Sequence, residues 1–308
     1  MFAADEIESP SSKNRPPPCI AFLVDTSATP LHLDSQKVFG THTVDTLTTA
    51  DIHSNSYIQE KIEEYIGQVK LAIIKILLYF QYYVDKKFQW GYQFYTSDTR
   101  TLLLSSNKNK FFKLNQDSID VFIDNFKKLI LKNVQEKYLK NKGKDTSSFN
   151  CLNNLVITLR ECLASFNWNY SRDVGFLSPM KKKKKSIVLH HYLFLVTPLP
   201  DSYHSLVKFV ENQRVYQIYL QQRLENGERD EEEDPTVLKE NMDVLLDKFQ
   251  NDFIKKALWT AYLQNKIGIS WIDTNLKYKE DQVADLEILS KTVNLYIKLY
   301  KIGSHLLL

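Results

Sequence analysis

The sequence predicts an α/β fold with a doubly wound, mostly parallel sheet and helices on both faces. Residues 19–24 (CIAFLV) are apolar without alternation, which is typical of a strand buried on both faces. Residues 58–83 repeat apolar side chains in steps of three and four, which predicts a long helix. Residues 88–98 (FQWGYQFYTSD) are short, aromatic and strand-like. A strand, a helix and a strand in this order form the βαβ unit of a parallel sheet.

The long helix has one continuous apolar face. Ser56 is the expected N-cap residue, because its hydroxyl can accept a hydrogen bond from the first helical turn. The apolar positions expected on the buried side are Ile58, Ile62, Ile66, Val69, Ile73, Ile76, Leu77, Phe80 and Tyr83. This spacing favours a helix that packs along its whole length on the sheet.

The later elements continue the alternation of helices and strands. Apolar periodicity predicts helices over 118–134, 151–166, 205–224, 244–264 and about 280–301. Strands are expected within 186–200 and over 267–274, with a last one opening at 305–308. Residues 1–17 are polar and proline-rich, and they read as a disordered lead-in to one domain over 18–308. Loop insertions are expected near 30–55, 171–186 and 225–235.

Composition excludes several functional classes. No apolar run is long enough to span a membrane, so no membrane partner is expected. The net charge of +3 does not indicate direct nucleic-acid binding. No glycine-rich phosphate loop is present, which argues against a nucleotide enzyme or an α/β hydrolase. The three cysteines lack metal-ligand spacing, and their number and spacing favour a protein of a reducing compartment. Cys162 falls on an apolar helix face and is predicted to be a core residue.

The first strand ends in a polar loop that could hold a metal. Asp25, Ser27 and Thr29 supply one carboxylate and two hydroxyls at the carboxyl end of a parallel strand, where such sheets bind ligands. Oxygen donors of this kind suit Mg²⁺. The spacing resembles the metal-ion-dependent adhesion site of von Willebrand A domains. The alternative is that these side chains only bond to backbone donors of the turn.

Two further loops would have to complete such a site. The first, before the helix at 151, offers Asn153 and Asn154, with Thr146, Ser147 and Ser148 upstream. The second follows the strand ending near Val196, and its acid, Asp201, arrives several residues late. The ligand set is therefore incomplete, and we expect a degenerate site with no resident cofactor. Mg²⁺ remains the one candidate ion.

Two loop features suggest regulation. Ser178 precedes a proline and lies close to a basic run, as in substrates of proline-directed kinases, so it is a candidate phosphorylation site. Two charged segments are predicted to be solvated loops, namely Lys181–Lys185 and the acidic residues 225–235. A nuclear localisation signal at the lysines is the functional alternative.

Several segments together resemble the N-terminal region of the Treslin (TICRR) family of replication-initiation factors. These segments are FLVDTSA, WGYQFYTSD, FFKLNQDSIDVFIDNF, LRECLASFNW, FLSPMKKKKKS, YLFLVTPLPDSYHSLVKFV and NKIGISWIDTN, and they occur in the same order over most of 19–308. The resemblance implies a von Willebrand A-like fold and a non-enzymatic scaffold in the nucleus. It also implies a partner similar to MTBP, a BRCT-repeat scaffold and control by cyclin-dependent kinases.

The resemblance leaves parts of that function open. The family's kinase-regulated BRCT-binding sites and its helicase-cofactor-binding domain lie downstream of the matched region, so direct helicase recruitment by these residues is not implied. Two alternatives stay open. One is a metal-dependent, ligand-binding von Willebrand A module, and the other is a scaffold subunit of a transcription or repair complex.

Overall fold

The described part of the chain contains five strands, four helices with assigned bounds and a further helical segment at 243–249. A computed structural model describes residues 17–27, 31, 54–84, 87–96, 110–136, 151–168, 191–200, 203–211, 243–251, 253, 267–274 and 298–301. In chain order the elements are β1 (Cys19–Asp25), α1 (Ser56–Tyr79), β2 (Gln89–Tyr95), α2 (Gln116–Gln135), α3 (Cys151–Ser165), β3 (His191–Thr197), α4 (Tyr203–Val210), β4 (Ile267–Asp273) and β5 (Lys298–Lys301). A π-helical turn, Phe80–Val84, extends α1.

The strands form one sheet in the order β2-β1-β3-β4-β5, and every neighbouring pair is parallel. The chain adds β2 on one side of β1 and then β3, β4 and β5 in turn on the other. This reversal of direction beside β1 is the mark of a doubly wound α/β sheet. All seven residues of β1 are buried, as the unbroken apolar run predicts. The predicted α/β class is confirmed.

Each face of the sheet carries its own hydrophobic core. Cys19, Ala21 and Leu23 of β1 point to a core shared with α3, α4 and the helical segment 243–249. Their neighbours Ile20 and Phe22 point to the opposite core, shared with α1 and α2. Successive side chains of a strand alternate between faces, so a fully apolar strand needs a helical layer on each side. The predicted helices on both faces are therefore confirmed.

Helix α1 follows its predicted face closely, with two corrections. The N-cap is Asn55 rather than Ser56, and its side chain accepts a hydrogen bond from the Ile58 N–H at 3.2 Å. Both residue types cap helices well, so the sequence does not separate them. Tyr83, predicted on the buried face, is 79% exposed. The π-helical turn that begins at Phe80 widens the helix and changes the direction of the side chains after it.

The end of the chain also departs from the prediction. Lys298–Lys301 form a strand, β5, which pairs with β4, whereas the sequence predicted a helix to about residue 301. Alternation of polar and apolar residues over so few positions fits either element. Pairing with the otherwise open edge of β4 decides the outcome, because it satisfies backbone groups that a helix end would leave free. The last strand expected at 305–308 lies outside the described residues.

Edge strand β2 packs unusually close to a neighbouring segment. Trp90 and Phe112 exchange two backbone hydrogen bonds, at 2.9 and 2.7 Å, and form an isolated antiparallel bridge. A Cβ atom on Gly91 would lie 2.6 Å from a ring carbon of Phe166 and 2.9 Å from the Lys110 carbonyl oxygen. Only glycine fits at this contact without displacing the backbone.

Cys19 and Cys162 are free, buried thiols, and the core position predicted for Cys162 is confirmed. Burial raises the pKa of Cys19 to about 12 and also raises the pKa of Cys162. Above about pH 9 the unfolded chain releases these protons while the folded chain retains them. The contribution of these buried thiols to the free energy of unfolding is therefore fully present below pH 9 and is lost as the pH rises toward 12.

We expect each thiol to contribute a loss of up to about 1.4 kcal/mol per pH unit over this range. Urea unfolding measured at a series of alkaline pH values would show the slope. A Cys19→Ala, Cys162→Ala double variant should lose the part of the slope that begins near pH 9, while buried Tyr65, whose pKa is also raised, still contributes above about pH 10. An equal slope in wild type and double variant would contradict this origin.

Several predictions fall on parts of the chain that the structure does not describe. They concern the lead-in at 1–16, the loop insertions near 171–186 and 225–235, the lysine run and most of the loop at 30–55. None of the described helices combines the length and the apolar character that are needed to cross a bilayer.

Candidate functional site: the carboxyl edge of the sheet

The carboxyl ends of the strands bring a row of polar residues into register. Asp25 is paired with Tyr95 of β2, and Thr197 of β3 is paired with Asp273 of β4. The β1–β3 ladder ends at the Val24–Val196 pair, so Asp25 and Thr197 come next on adjacent strands. In doubly wound sheets ligands bind between the two strands where the winding reverses, and here those strands are β1 and β3.

Asp25 lies at the centre of this row and is fully buried. Its Oδ1 atom accepts a hydrogen bond from the Ser27 N–H at 2.9 Å. Its Oδ2 atom accepts one from the Thr197 hydroxyl at 3.1 Å. The first bond forms a tight turn after β1, and the second joins the tips of β1 and β3. Both carboxylate oxygens therefore bind donors of the protein itself, which offsets the cost of burying them.

Thr26 connects the same tip to two other elements. Its N–H and its hydroxyl both donate to the Tyr95 carbonyl oxygen, at 2.8 and 2.9 Å. Asn133 near the end of α2 donates to the Thr26 carbonyl oxygen at 2.8 Å and to its hydroxyl oxygen at 3.0 Å. The loop after β1 is thus held by β2 and α2 as well as by β3.

A second aspartate, Asp273, holds the loop after β3. It is fully buried, and its Oδ1 atom accepts a hydrogen bond from the Leu199 N–H at 2.9 Å. The indole N–H of Trp271 donates to the Thr197 carbonyl oxygen at 2.9 Å. The tip of β3 therefore has hydrogen bonds to the strands on both sides of it.

Tyr65 of α1 closes the edge from the helical layer. Its hydroxyl donates to the Asp25 carbonyl oxygen at 3.3 Å. Burial raises the pKa of Tyr65, and the nearby carboxylates of Asp25 and Asp273 raise it further. The phenol therefore stays protonated and keeps its role as a hydrogen-bond donor.

The structure brings together only part of the predicted metal site. Asp25 and Ser27 are in contact, and Ser27 is 1% exposed. Thr29, Asp201 and the phosphorylation candidate Ser178 lie outside the described residues. Asn154 is buried in the first turn of α3. The metal site at Asp25, Ser27 and Thr29 stays a prediction.

The groups that surround Asp25 fit a hydrogen-bonded turn better than a cation site. Mg²⁺ requires near-octahedral oxygen ligands and usually retains several waters, so it needs open space beside the carboxylate. Asp25 is buried and both of its oxygens have protein donors. Within the described ranges, no three His, Cys, Asp or Glu side chains are grouped so that they could hold a metal.

Sequence reasoning missed Thr197, Asp273, Tyr65 and Asn133 as members of this edge. A signal for Asp273 was present, because β1 and β4 end in the same pattern, Val-Asp-Thr and Ile-Asp-Thr. Two parallel strands that end alike place their aspartates at the same edge of the sheet. Nothing in the sequence marks Asn133 or Tyr65, because they arrive from helices whose rotation is set by packing.

Comparison with models of known protein families finds no match, and comparison with curated proteins finds none either.

Proposed function

We propose that this chain is a non-enzymatic protein-interaction domain of the von Willebrand A type that acts in the initiation of DNA replication in the nucleus. Its partners would be a protein similar to MTBP and a BRCT-repeat scaffold, as the resemblance to the Treslin family implies. The domain would contribute to helicase activation at origins by binding proteins through its outer surfaces. Control by cyclin-dependent kinases would act at the candidate phosphorylation site Ser178.

The observation that carries the proposal is the hydrogen bond across the crevice between β1 and β3. An enzyme or a ligand-binding module of this fold class would use that crevice. Here the Thr197 hydroxyl donates to Asp25 across it, and both residues are at most 1% exposed. This supports a structural role for the polar groups at the carboxyl edge and favours protein binding through the outer surfaces of the domain.

The fold type receives support from the sheet. A mostly parallel sheet with helices on both faces is what the resemblance implies. The five strands are parallel, and the bridge between Trp90 and Phe112 adds one short antiparallel contact beyond β2. Such an antiparallel edge on a parallel sheet is common in doubly wound folds.

The two segments with the sharpest resemblance also contact each other. The segment TPLP begins at Thr197, the last residue of β3, and ISWIDT forms most of β4. Leu199 of the first donates to Asp273 of the second, and Trp271 of the second donates to Thr197 of the first. Both segments therefore hold the same edge of the sheet, which gives a structural reason for the two to occur together in the order of the family. That supports a common fold more strongly than two unrelated matches would.

Acute depletion of the protein in its own cells tests the proposal. We expect cells to arrest with unreplicated DNA, measured as DNA content through one cycle, while helicase rings are loaded on chromatin but inactive. Re-expression of the wild-type protein should restore DNA synthesis, and so should the surface variant Asp124→Ala. A normal S phase after complete depletion would exclude an essential role in initiation. Co-purification with a transcription or repair complex would then favour the other scaffold class.

A further inference from the structure

The outer face of α1 carries an exposed apolar stripe. Leu71 is 54% exposed, Leu78 40% and Tyr82 71%. At roughly 100° per residue Leu71 and Leu78 fall within about 20° of each other, on the side opposite buried Ile62 and Val69. Large apolar side chains aligned in this way, rather than scattered singly, mark an interaction surface.

Gly67 lies on the same stripe and has no packing role within the described structure. A Cβ atom added there would meet no atom within 4 Å. Glycine in a helix interior costs about 1 kcal/mol relative to alanine, so its presence calls for a reason. Gly67, Leu71 and Leu78 follow one another in steps of four and seven, which is the spacing of a helix–helix seam. Ile74 lies between them at the border of this seam, because it is half-buried and also packs against the core. A glycine in such a seam lets a second helix approach closely.

Charge along the stripe identifies the kind of partner. Exposed Glu60 and Glu64 lie on it in the first half of α1, and exposed Lys75 lies on it in the second half. Two parallel copies of α1 would place like charges side by side. Two antiparallel copies would place the acidic half of each beside the basic half of the other. This self-complementarity is what a two-fold symmetric interface requires.

We propose that the outer face of α1 binds a second copy of this chain, with the two α1 helices antiparallel across a two-fold axis. Leu71 lies at the centre of the seam. Lys75 of one copy packs its stem over Gly67 of the other and directs its ammonium group toward Glu64. The exposed residues Tyr82, Tyr83 and Val84 of the π-helical turn extend the contact at both ends.

The size of the stripe predicts a weak, concentration-dependent dimer. Helix α1 has 24 residues and is therefore about 36 Å long. A stripe about 10 Å wide along it amounts to roughly 350 Å² per copy, below the roughly 800 Å² per partner of a standard stable interface. Monomer and dimer should thus exchange within the range of concentrations that sedimentation equilibrium covers.

Substitution at the centre of the seam gives the first test. Leu71→Glu should raise the dissociation constant by roughly tenfold or more, because each dimer would bury two carboxylates in an apolar contact. The matched control is Val121→Glu on α2, since Val121 is also 54% exposed but lies on another helix. It should associate like wild type. Circular dichroism and thermal melts check that both variants fold, which their exposed positions favour.

Charge exchange gives the second test and fixes the orientation. Glu64→Lys and Lys75→Glu should each weaken self-association when measured alone. An equimolar mixture of the two variants should associate more strongly than either one, because antiparallel heterodimers restore opposite charges at both ends. Loss of the Lys61–Glu64 ion pair in the first variant is a small surface effect, since Glu64 is 39% exposed.

Three results would overturn the proposal. They are a wild-type chain that stays monomeric at every concentration measured, a dimer that Leu71→Glu leaves unchanged, and a mixture that associates no better than its components. The first result would leave the stripe to a helix of another protein. None of these results bears on replication, so the dimer and the proposed function can fail independently.

Discussion

Replacement of Trp271 by alanine is expected to lower the free energy of unfolding by about 4 kcal/mol. Trp271 is fully buried in β4, and its ring centre lies 5.5 Å from that of Phe253. Its indole N–H donates to the Thr197 carbonyl oxygen at 2.9 Å. The variant leaves a large cavity and an unsatisfied carbonyl group at the tip of β3. Urea unfolding followed by circular dichroism measures the loss.

A smaller change at the same position separates the two contributions. Trp271→Phe keeps most of the ring contact but removes the hydrogen bond, so it should cost roughly 1–2 kcal/mol. A double-mutant cycle with Thr197→Val should be non-additive, because both residues hold the tip of β3. Additive losses in the cycle, or a cost of Trp271→Ala below 1 kcal/mol, would show that this edge is not a coupled structural unit.

Replacement of Asp25 by alanine is expected to cost about 3 kcal/mol. The substitution leaves the Ser27 N–H and the Thr197 hydroxyl without their acceptors in a buried site. Asp25→Asn should cost less than half as much, because the amide oxygen can still accept from Ser27 and Thr197 can accept from the amide nitrogen. Equilibrium unfolding in urea compares the two variants with wild type.

The matched control for Asp25 is Asp124→Ala on the exposed side of α2. Asp124 is an exposed aspartate, so its removal should change stability by less than about 0.5 kcal/mol. If Asp25→Ala were as mild as the control, its hydrogen bonds would not stabilise the fold. If Asp25→Ala kept the wild-type stability but lost metal binding, Asp25 would instead be a metal ligand.

The spacing of apolar residues predicts most of the described helices and strands, because side chains that face a core must be apolar. The run over residues 19–24, the apolar face of α1 and the aromatic run of β2 each follow from facing a core. The prediction failed where short segments fit two structures, as at Lys298–Lys301, where pairing with β4 decides. It also failed for Tyr83, because a π-helical turn leaves no periodic signal in five residues.

The candidate site was predictable only as far as local pattern reaches. Asp25 and Ser27 could be placed at the carboxyl edge because they directly follow a buried strand. Their partner Thr197 is 172 residues away along the chain from Asp25, so its role depends on strand order. The stripe on α1 was overlooked for a different reason. Apolar periodicity identifies the buried face of a helix, and a few exposed leucines on the opposite face add no period of their own.

The melting temperature of the wild-type protein, compared in Mg²⁺ and in a chelator at matched ionic strength, decides between a structural edge and a metal site. If the bonds of Asp25 to Ser27 and Thr197 are purely structural, the two melting temperatures should agree. A bound ion at 100 times its dissociation constant would add about 2.7 kcal/mol of stability, and the melting temperature would rise by several degrees. A rise of that size in wild type, reduced in Asp25→Asn, would contradict the structural role of this edge and make the domain a metal-dependent ligand-binding module.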